Sequence, residues 1–528
     1  MIGTTALTTT NLKTFAYSVT VSAAAFALMG GLAHAQKAQD TLRVAVTDAI
    51  PGVDGLYFAG FDGFITNKIV QDTLITWDTV DKKLKPQLAT EWKRVDANTI
   101  DFKLREGVKF HNGAEFTADD VVYTFHIATD SKYKFRLKDR YSFIKSAEKI
   151  DKYNVRLHLN KGSGVDLINL SSYPPMLPAA AHAKYDNKAD FARETVGTGP
   201  YRLTALDSVG AVFQKAPTYT WGGSRPAGRI GRVTFTPIGD KQTQIAKVLV
   251  GELDMIYDID LEQAKQVVGA TKDYRLHVSP TAGFFFLNFD TANRSGSSPF
   301  ADKRLREAVL AAIDNKALRT AYVPKMDPDQ VLSSMCHPLL EPCTPDLPQK
   351  LPAHDPAHAK KLLADAGYAT KGLDVEILTW SPARQTAEAV AGELRKVGIR
   401  ATVNNAARNV FTKLRGEGKA VMQVTIWDNG GEPDIERTAN YFFGTNIAQN
   451  YVQSAELGAL VDEGRNELDM DKRKQIYDRI FSAVNAERYM APVIPAPSLI
   501  VHHKDVTFDP APIIYAQGFA FNQMGWAK

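Results

Sequence analysis

Few residues of this chain have types and spacing that could do chemistry, and most stand at the wrong spacing for it. His502-His503 is an adjacent pair, and on a strand neighbouring rings face opposite sides, so the two do not share a metal ion. Asp428, Glu432 and Asp434 crowd one stretch, but their spacing departs from an EF-hand calcium loop and reads as a solvated acidic loop. His111, beside the Asn112-Gly113 turn, reads as a surface or packing residue. The sequence carries no H-E-x-x-H, no G-x-S-x-G, no phosphate-binding P-loop and no dinucleotide fingerprint. No catalytic residue, metal ligand or cofactor is assigned. What remains suits recognition without reaction. Arg384 offers a guanidinium for a carboxylate, and Asp428 or Asn429 could answer an ammonium. Trp427 offers a flat apolar wall, with Tyr57 and Phe58 to close over the other side.

These residues need elements to position them. Thr41–Thr47 alternates as a strand should and precedes the glycine- and aromatic-rich loop of Tyr57, Phe58 and Phe61. Glu91–Val95 and Thr99–Arg105 read as paired strands, with Ile100, Phe102 and Leu104 on one face. Asn112-Gly113 supplies a φ > 0 pair for a tight hairpin. Thr117-Ala-Asp-Asp120 resembles a capping box and opens a helix carrying Val121, Val122 and Phe125. Further on, Asp355, Pro356 and Gly367 bracket a helix. A strand at Leu373–Thr379, a helix opened by Ser381-Pro382 and stopped by Gly398, and a strand at Ile399–Val403 form a strand–helix–strand unit, followed by a strand at Val421–Trp427. In such sheets ligands gather beyond the carboxyl ends of the strands. Trp380–Arg384 and Trp427–Gly431 both fall there.

The chain has 528 residues, 44% hydrophobic and 23% charged, which is the balance of a globular protein large enough for two lobes. Lysine plus arginine outnumber the acids by only 63 to 59, so no basic face for nucleic acid is expected. Residues 1–35 hold one lysine and no acid, run apolar from Phe15 to Ala33, and end in Ala33-His34-Ala35. That is the pattern of an export signal cleaved after Ala35. The only cysteines, Cys336 and Cys343, lie in a proline-containing stretch unlike a redox or metal motif. In an exported chain they are expected to form a structural disulfide, worth about 2.5 kcal/mol for so short a loop.

The most specific run is LKPQLATEW followed by LREGVKFHNGAEFTADDVVYTF, at 84–125. With VGTGPYRL (196–203), GELDMI (251–256), FLNFD (286–290), FADKRLREAV (300–309), HDPAHAKKLLADAGY (354–368) and AEAVAGELRKVGIRATV (387–403), it resembles the periplasmic solute-binding proteins of ABC importers. The class is the large one that takes peptides, nickel complexes, haem, opines and some sugars. The resemblance implies an α/β fold of two lobes with the ligand in the cleft between them. It places the first-lobe core at 36–64, 197–283 and 492–528, an extra subdomain at 65–196, and the second lobe at 284–491. It implies a monomeric, non-enzymatic receptor that delivers its ligand to a membrane permease, and a periplasmic location.

In peptide-binding members an acidic residue after a late strand pairs with the peptide amino terminus. Aligned through Glu432-Pro433 that position falls on Asn429; aligned through Trp427 it falls on Asp428. A peptide or peptide-like ligand is the leading expectation. An opine-like solute or a metal complex is the alternative, as is a sensory or chaperone-like peptide-binding role; a periplasmic hydrolase lacks its residues.

Overall fold

Thr41–Val46 forms the middle strand of a seven-stranded sheet because both of its faces can be buried, through Leu42, Val44 and Val46 on one side and Ala45 on the other. In the computed structural model, which describes residues 37, 39–58, 61–135, 138–323, 332–344, 346–507 and 521–527, it pairs in parallel with Arg232–Pro237 and Met255–Tyr257. The remaining strands add antiparallel: Ala211–Lys215 and Tyr201–Leu206 on one flank, Ser498–His503 and Tyr274–Ser279 on the other. Helices Lys241–Leu249 and Leu261–Ala270 cover one face, and helix Phe61–Val70 packs Ile65, Ile69 and Val70 into the other. The expected export segment and its cleavage site lie outside the described residues.

The extra subdomain is a four-stranded antiparallel sheet, Ala89–Asp96, Thr99–Leu104, Asn154–Leu159 and Ile144–Lys149. Helix Ala118–Thr129 lies over it, burying Val121 and Phe125 against Phe102 and Leu157. Its first turn is capped as the sequence suggests, with the Asp120 carboxylate accepting the Thr117 backbone N–H at 2.9 Å. The hairpin Ile75–Asp78/Lys83–Pro86 stands beside this sheet. At Asn112-Gly113 only Gly113 takes positive φ (+85°), because Phe110 N–H reaches the carbonyl of Ala114 and widens the turn. His111 is a packing residue there: its Nε2 lies 2.9 Å from the Gly199 carbonyl.

The second lobe is a five-stranded sheet in the order Ile399–Ala406, Leu373–Trp380, Met422–Trp427, Phe284–Phe289, Met490–Pro495. The first three are mutually parallel, with helix Arg384–Lys396 as the crossover and the φ +97° of Gly398 turning the chain into the next strand. Phe284 and Phe286 are buried on one face of the sheet, Leu287 and Phe289 on the other. All of this α/β two-lobed architecture agrees with the fold expected from the sequence.

Two boundaries differ from expectation. Residues 65–70 belong to the first-lobe core, since their helix seals its sheet. Residues 492–495 belong to the second lobe: Pro492 and Pro495 sit in an edge strand, where a missing N–H breaks no ladder. The chain therefore crosses between Ser279 and Phe284 and returns between Pro495 and Ser498. The two crossings are tied to each other. Thr281 Oγ1 donates to the Ala496 carbonyl at 2.7 Å, and Ala496 N–H donates to the Gly283 carbonyl at 2.9 Å.

Candidate functional site

The parallel strands Leu373–Trp380 and Met422–Trp427 end side by side, each on a tryptophan. Trp380 Nε1 donates to Thr425 Oγ1 at 3.0 Å, which fixes its ring over the sheet end. Trp427 Nε1 donates to Thr438 Oγ1 at 2.7 Å, and Thr438 Oγ1 donates in turn to Asn429 Oδ1 at 2.7 Å. Trp427 is half-buried, its ring 4.6 Å from Tyr441 and 5.0 Å from Phe442 on helix Glu436–Phe443.

Asn429 is fully buried in the left-handed region (φ +56°), where a short side chain that bonds locally is tolerated. Its amide donates to the carbonyls of Glu432 and Asp434, both at 2.6 Å. The side chain thus shapes the loop rather than facing the cleft, whereas Asp428 beside it is partly exposed. Asp434 is not solvated either. It is buried in a bidentate pair with Arg473 at 2.6 and 2.7 Å, and Arg473 Nε donates to the Gly464 carbonyl at 3.0 Å. Burial works against the Arg473 charge, but the facing carboxylate more than offsets it and holds the guanidinium protonated. Arg384 lies in the first turn of its helix, 59% exposed, with Nε on Glu388 at 2.8 Å.

Sequence reading missed the arginines that do stand against these aromatics. Helix Arg408–Gly416 puts Arg408, Phe411 and Arg415 on one face at i, i+3 and i+7. The Arg408 guanidinium lies 5.1 Å from the centre of the Trp380 ring, and Arg415 lies 5.3 Å from both Phe411 and Tyr441. Arg415 also donates to the Tyr441 hydroxyl, and its Nε–H is buried without a partner. The helical spacing of two arginines around Phe411 was the signal available. The result is an aromatic wall with cationic edges at the carboxyl end of a parallel sheet, suited to a flat or extended solute carrying carboxylates.

Tyr57 and Phe58 belong to the first lobe. Tyr57 packs edge-on against Phe135 at 4.8 Å, and the Phe58 carbonyl accepts Asn67 Nδ2 at 3.1 Å. The turn before them is held by Asp54, whose Oδ1 accepts the N–H groups of Leu56 and Tyr57 at 2.7 and 3.4 Å. Asp54 Oδ2 is buried without a partner. Burial pushes this carboxyl up to about 6, against the pull of those two N–H groups. The folded chain therefore holds the proton more tightly than the unfolded chain does. The stability this contributes is fully present below about pH 4 and is lost as pH rises through about 6. The Asp54 side-chain carboxyl followed by NMR should titrate near 6, and Asp54→Asn should flatten the stability slope between those values. A midpoint below 4 would refute the assignment.

The cysteines meet as expected, Cys336 and Cys343 forming a disulfide. Among the described residues no group of three potential metal ligands comes together, and no helix is long and apolar enough to cross a membrane.

Comparison with known proteins gives four findings. Residues 83–449 match the family described as bacterial extracellular solute-binding proteins, family 5. The glutathione-binding protein GsiB of Escherichia coli O1:K1 is 28% identical over 367 residues, 67% of this chain and 68% of that one. The haem-binding protein A of Haemophilus influenzae is 26% identical over 472 residues, 80% of this chain and 81% of the relative. Among solved structures, the ABC transporter substrate-binding protein CtaP of Listeria monocytogenes superposes with a TM-score of 0.79 at 19% identity, covering 92% of this chain and 99% of that one.

Proposed function

Since the chain belongs to the bacterial extracellular solute-binding proteins of family 5, we propose that it captures a small, carboxylate-bearing, peptide-like solute and delivers it to an ABC import permease. Proteins of this family are receptors that act with such permeases outside the cytoplasm, and they are not enzymes. The observation that carries the ligand class is the pairing of Arg408 and Arg415 with the faces of Trp380, Phe411 and Tyr441. A guanidinium stacked on a ring still has N–H groups left for a planar anion, a fork that a lysine in the same place would not offer. Arg415 gives one to the Tyr441 hydroxyl and keeps its Nε–H without a protein partner. Asp428 answers an ammonium at the other end of such a solute, and Trp427 forms the wall between them. Tyr57 and Phe58 meet the ligand from the first lobe when the cleft closes.

Closure follows if the solute favours the closed arrangement, and the paired crossings at 279–284 and 495–498 are short enough to act as its hinge. The protein works as a monomer, because both walls come from one chain. Its relatives point to two ligands worth testing first: glutathione, named for one of them, and haem, named for the other. Native mass spectrometry of periplasmic protein identifies what co-purifies. Calorimetry with glutathione, dipeptides, an opine and haem then ranks the candidates. Binding confined to a solute without any carboxylate would overturn the reading.

The same protein should begin at Gln36, cleaved after Ala35, and carry no free thiol. Intact mass before and after alkylation checks both. Retention of residues 1–35, or two alkylated cysteines without reduction, would refute the processing.

A further inference from the structure

The hairpin of the extra subdomain reaches the second lobe at its tip. Lys82, in the left-handed region at φ +49°, donates its Nζ to the Pro338 carbonyl at 2.5 Å and lies 4.0 Å from the Glu341 carboxylate. Both partners sit inside the loop that the Cys336–Cys343 disulfide closes. That loop is joined by backbone to the segment after strand Met422–Trp427. Glu341 N–H donates to the Pro433 carbonyl, and Ile435 N–H donates to the Glu341 carbonyl, both at 2.8 Å.

A second contact lies on the same segment's other flank. Gly164 N–H donates to the Arg465 carbonyl at 3.1 Å. A Cβ at Gly164 would come within 2.4 Å of the Glu467 carbonyl oxygen and 2.7 Å of the Arg473 side chain. Arg473 is the partner of Asp434, and Arg465 pairs with Glu436 at 2.6 Å. Two contacts from the subdomain, one at the hairpin tip and one just before helix Asp166–Ser172, therefore converge, through the disulfide loop and through Arg473, on residues 433–436.

We propose that the extra subdomain clasps the second lobe at Lys82 and Gly164, and that the disulfide loop relays this clasp to the 428–436 loop. The disulfide gives the relay its stiffness: an unclosed loop would let Pro338 follow Lys82 without moving Glu341, and through Glu341 the Pro433 carbonyl. The clasp sets how readily the 428–436 loop opens, so it tunes the second-lobe wall from a domain that does not contribute to it. Only the description of that loop as ligand-facing rests on the function proposed above.

Hydrogen–deuterium exchange of the ligand-free protein tests the coupling without a ligand. Lys82→Glu should raise exchange at 337–343 and 429–437 by roughly two- to five-fold, the range of an exposed ion contact. Gly164→Ala should raise it at 462–475 and 429–437. Lys83→Glu, which alters a lysine of the same hairpin paired only within it (Asp81, 3.5 Å), should leave all three segments unchanged. Unchanged exchange at 429–437 in both clasp variants would overturn the proposal. So would an equal rise across the distant 373–403 unit, which marks general loss of stability.

Discussion

Asp434→Ala should destabilise the protein by about 3–5 kcal/mol, the cost of leaving a buried charge without its partner. Arg473 is fully buried, and its other contacts are the Gly464 carbonyl and the Tyr477 ring and hydroxyl. The Glu436 carboxylate that also acts on it is already paired with Arg465 at 2.6 Å. Removing Asp434 also frees the turn in which its carboxylate accepts Glu436 N–H at 2.8 Å. The double substitution Asp434→Leu/Arg473→Met should recover much of the loss, since a buried ion pair gains little over apolar residues of similar volume. Urea unfolding followed by tryptophan fluorescence reads both variants. A loss under 1 kcal/mol for Asp434→Ala would mean that water reaches the site and the pair is not a buried one.

Arg415→Ala should weaken binding of the co-purified solute by about 2–5 kcal/mol, the range for truncating one member of a desolvated charge pair. Arg384→Ala should change affinity by less than about 1 kcal/mol, because that side chain is largely in solvent and already paired along its own helix. Arg415→Lys distinguishes charge from shape: a lysine keeps the charge but loses the planar fork and the stacking on Tyr441. Calorimetry on the three variants, with circular dichroism to establish that each is folded, ranks them. Near-native affinity in Arg415→Ala, or a larger loss in Arg384→Ala, would move the anionic end of the ligand to another part of the cleft.

The fold was legible where local chemistry and global pattern agree. Asp355-Pro356, Gly367 and Gly398 punctuate the second lobe so clearly that its parallel unit is readable residue by residue, and the capped helix after Thr117 is equally plain. The lobe boundary at Pro492 was not, because proline signals an interruption unless one knows that its strand is at an edge. At the site, tryptophans at two strand ends were findable from position alone. Asn429 was misleading, since nothing in the order of residues distinguishes an amide that faces a ligand from one that closes its own loop. Arg408 and Arg415 were hidden for the opposite reason. Basic residues on a short amphipathic helix look solvated until the fold brings a ring from another element under each, Trp380 from a strand end under Arg408 and Tyr441 from helix Glu436–Phe443 under Arg415.

The order of strands in the first lobe has a consequence for how the protein is made. Ser498–His503 lies between Met255–Tyr257 and Tyr274–Ser279, so that sheet is assembled from the beginning, the middle and the end of the chain. A polypeptide emerging amino terminus first can complete its subdomain sheet by residue 159 and its second-lobe sheet by residue 495. It cannot fill the gap beside residues 255–257 until nearly all of it has been delivered. Until then the first lobe exposes an open slot with unpaired edges on both sides, so the last strand to emerge serves as the keystone. A chain that is threaded through a membrane unfolded gains from this arrangement, because premature closure of the first lobe is ruled out by topology.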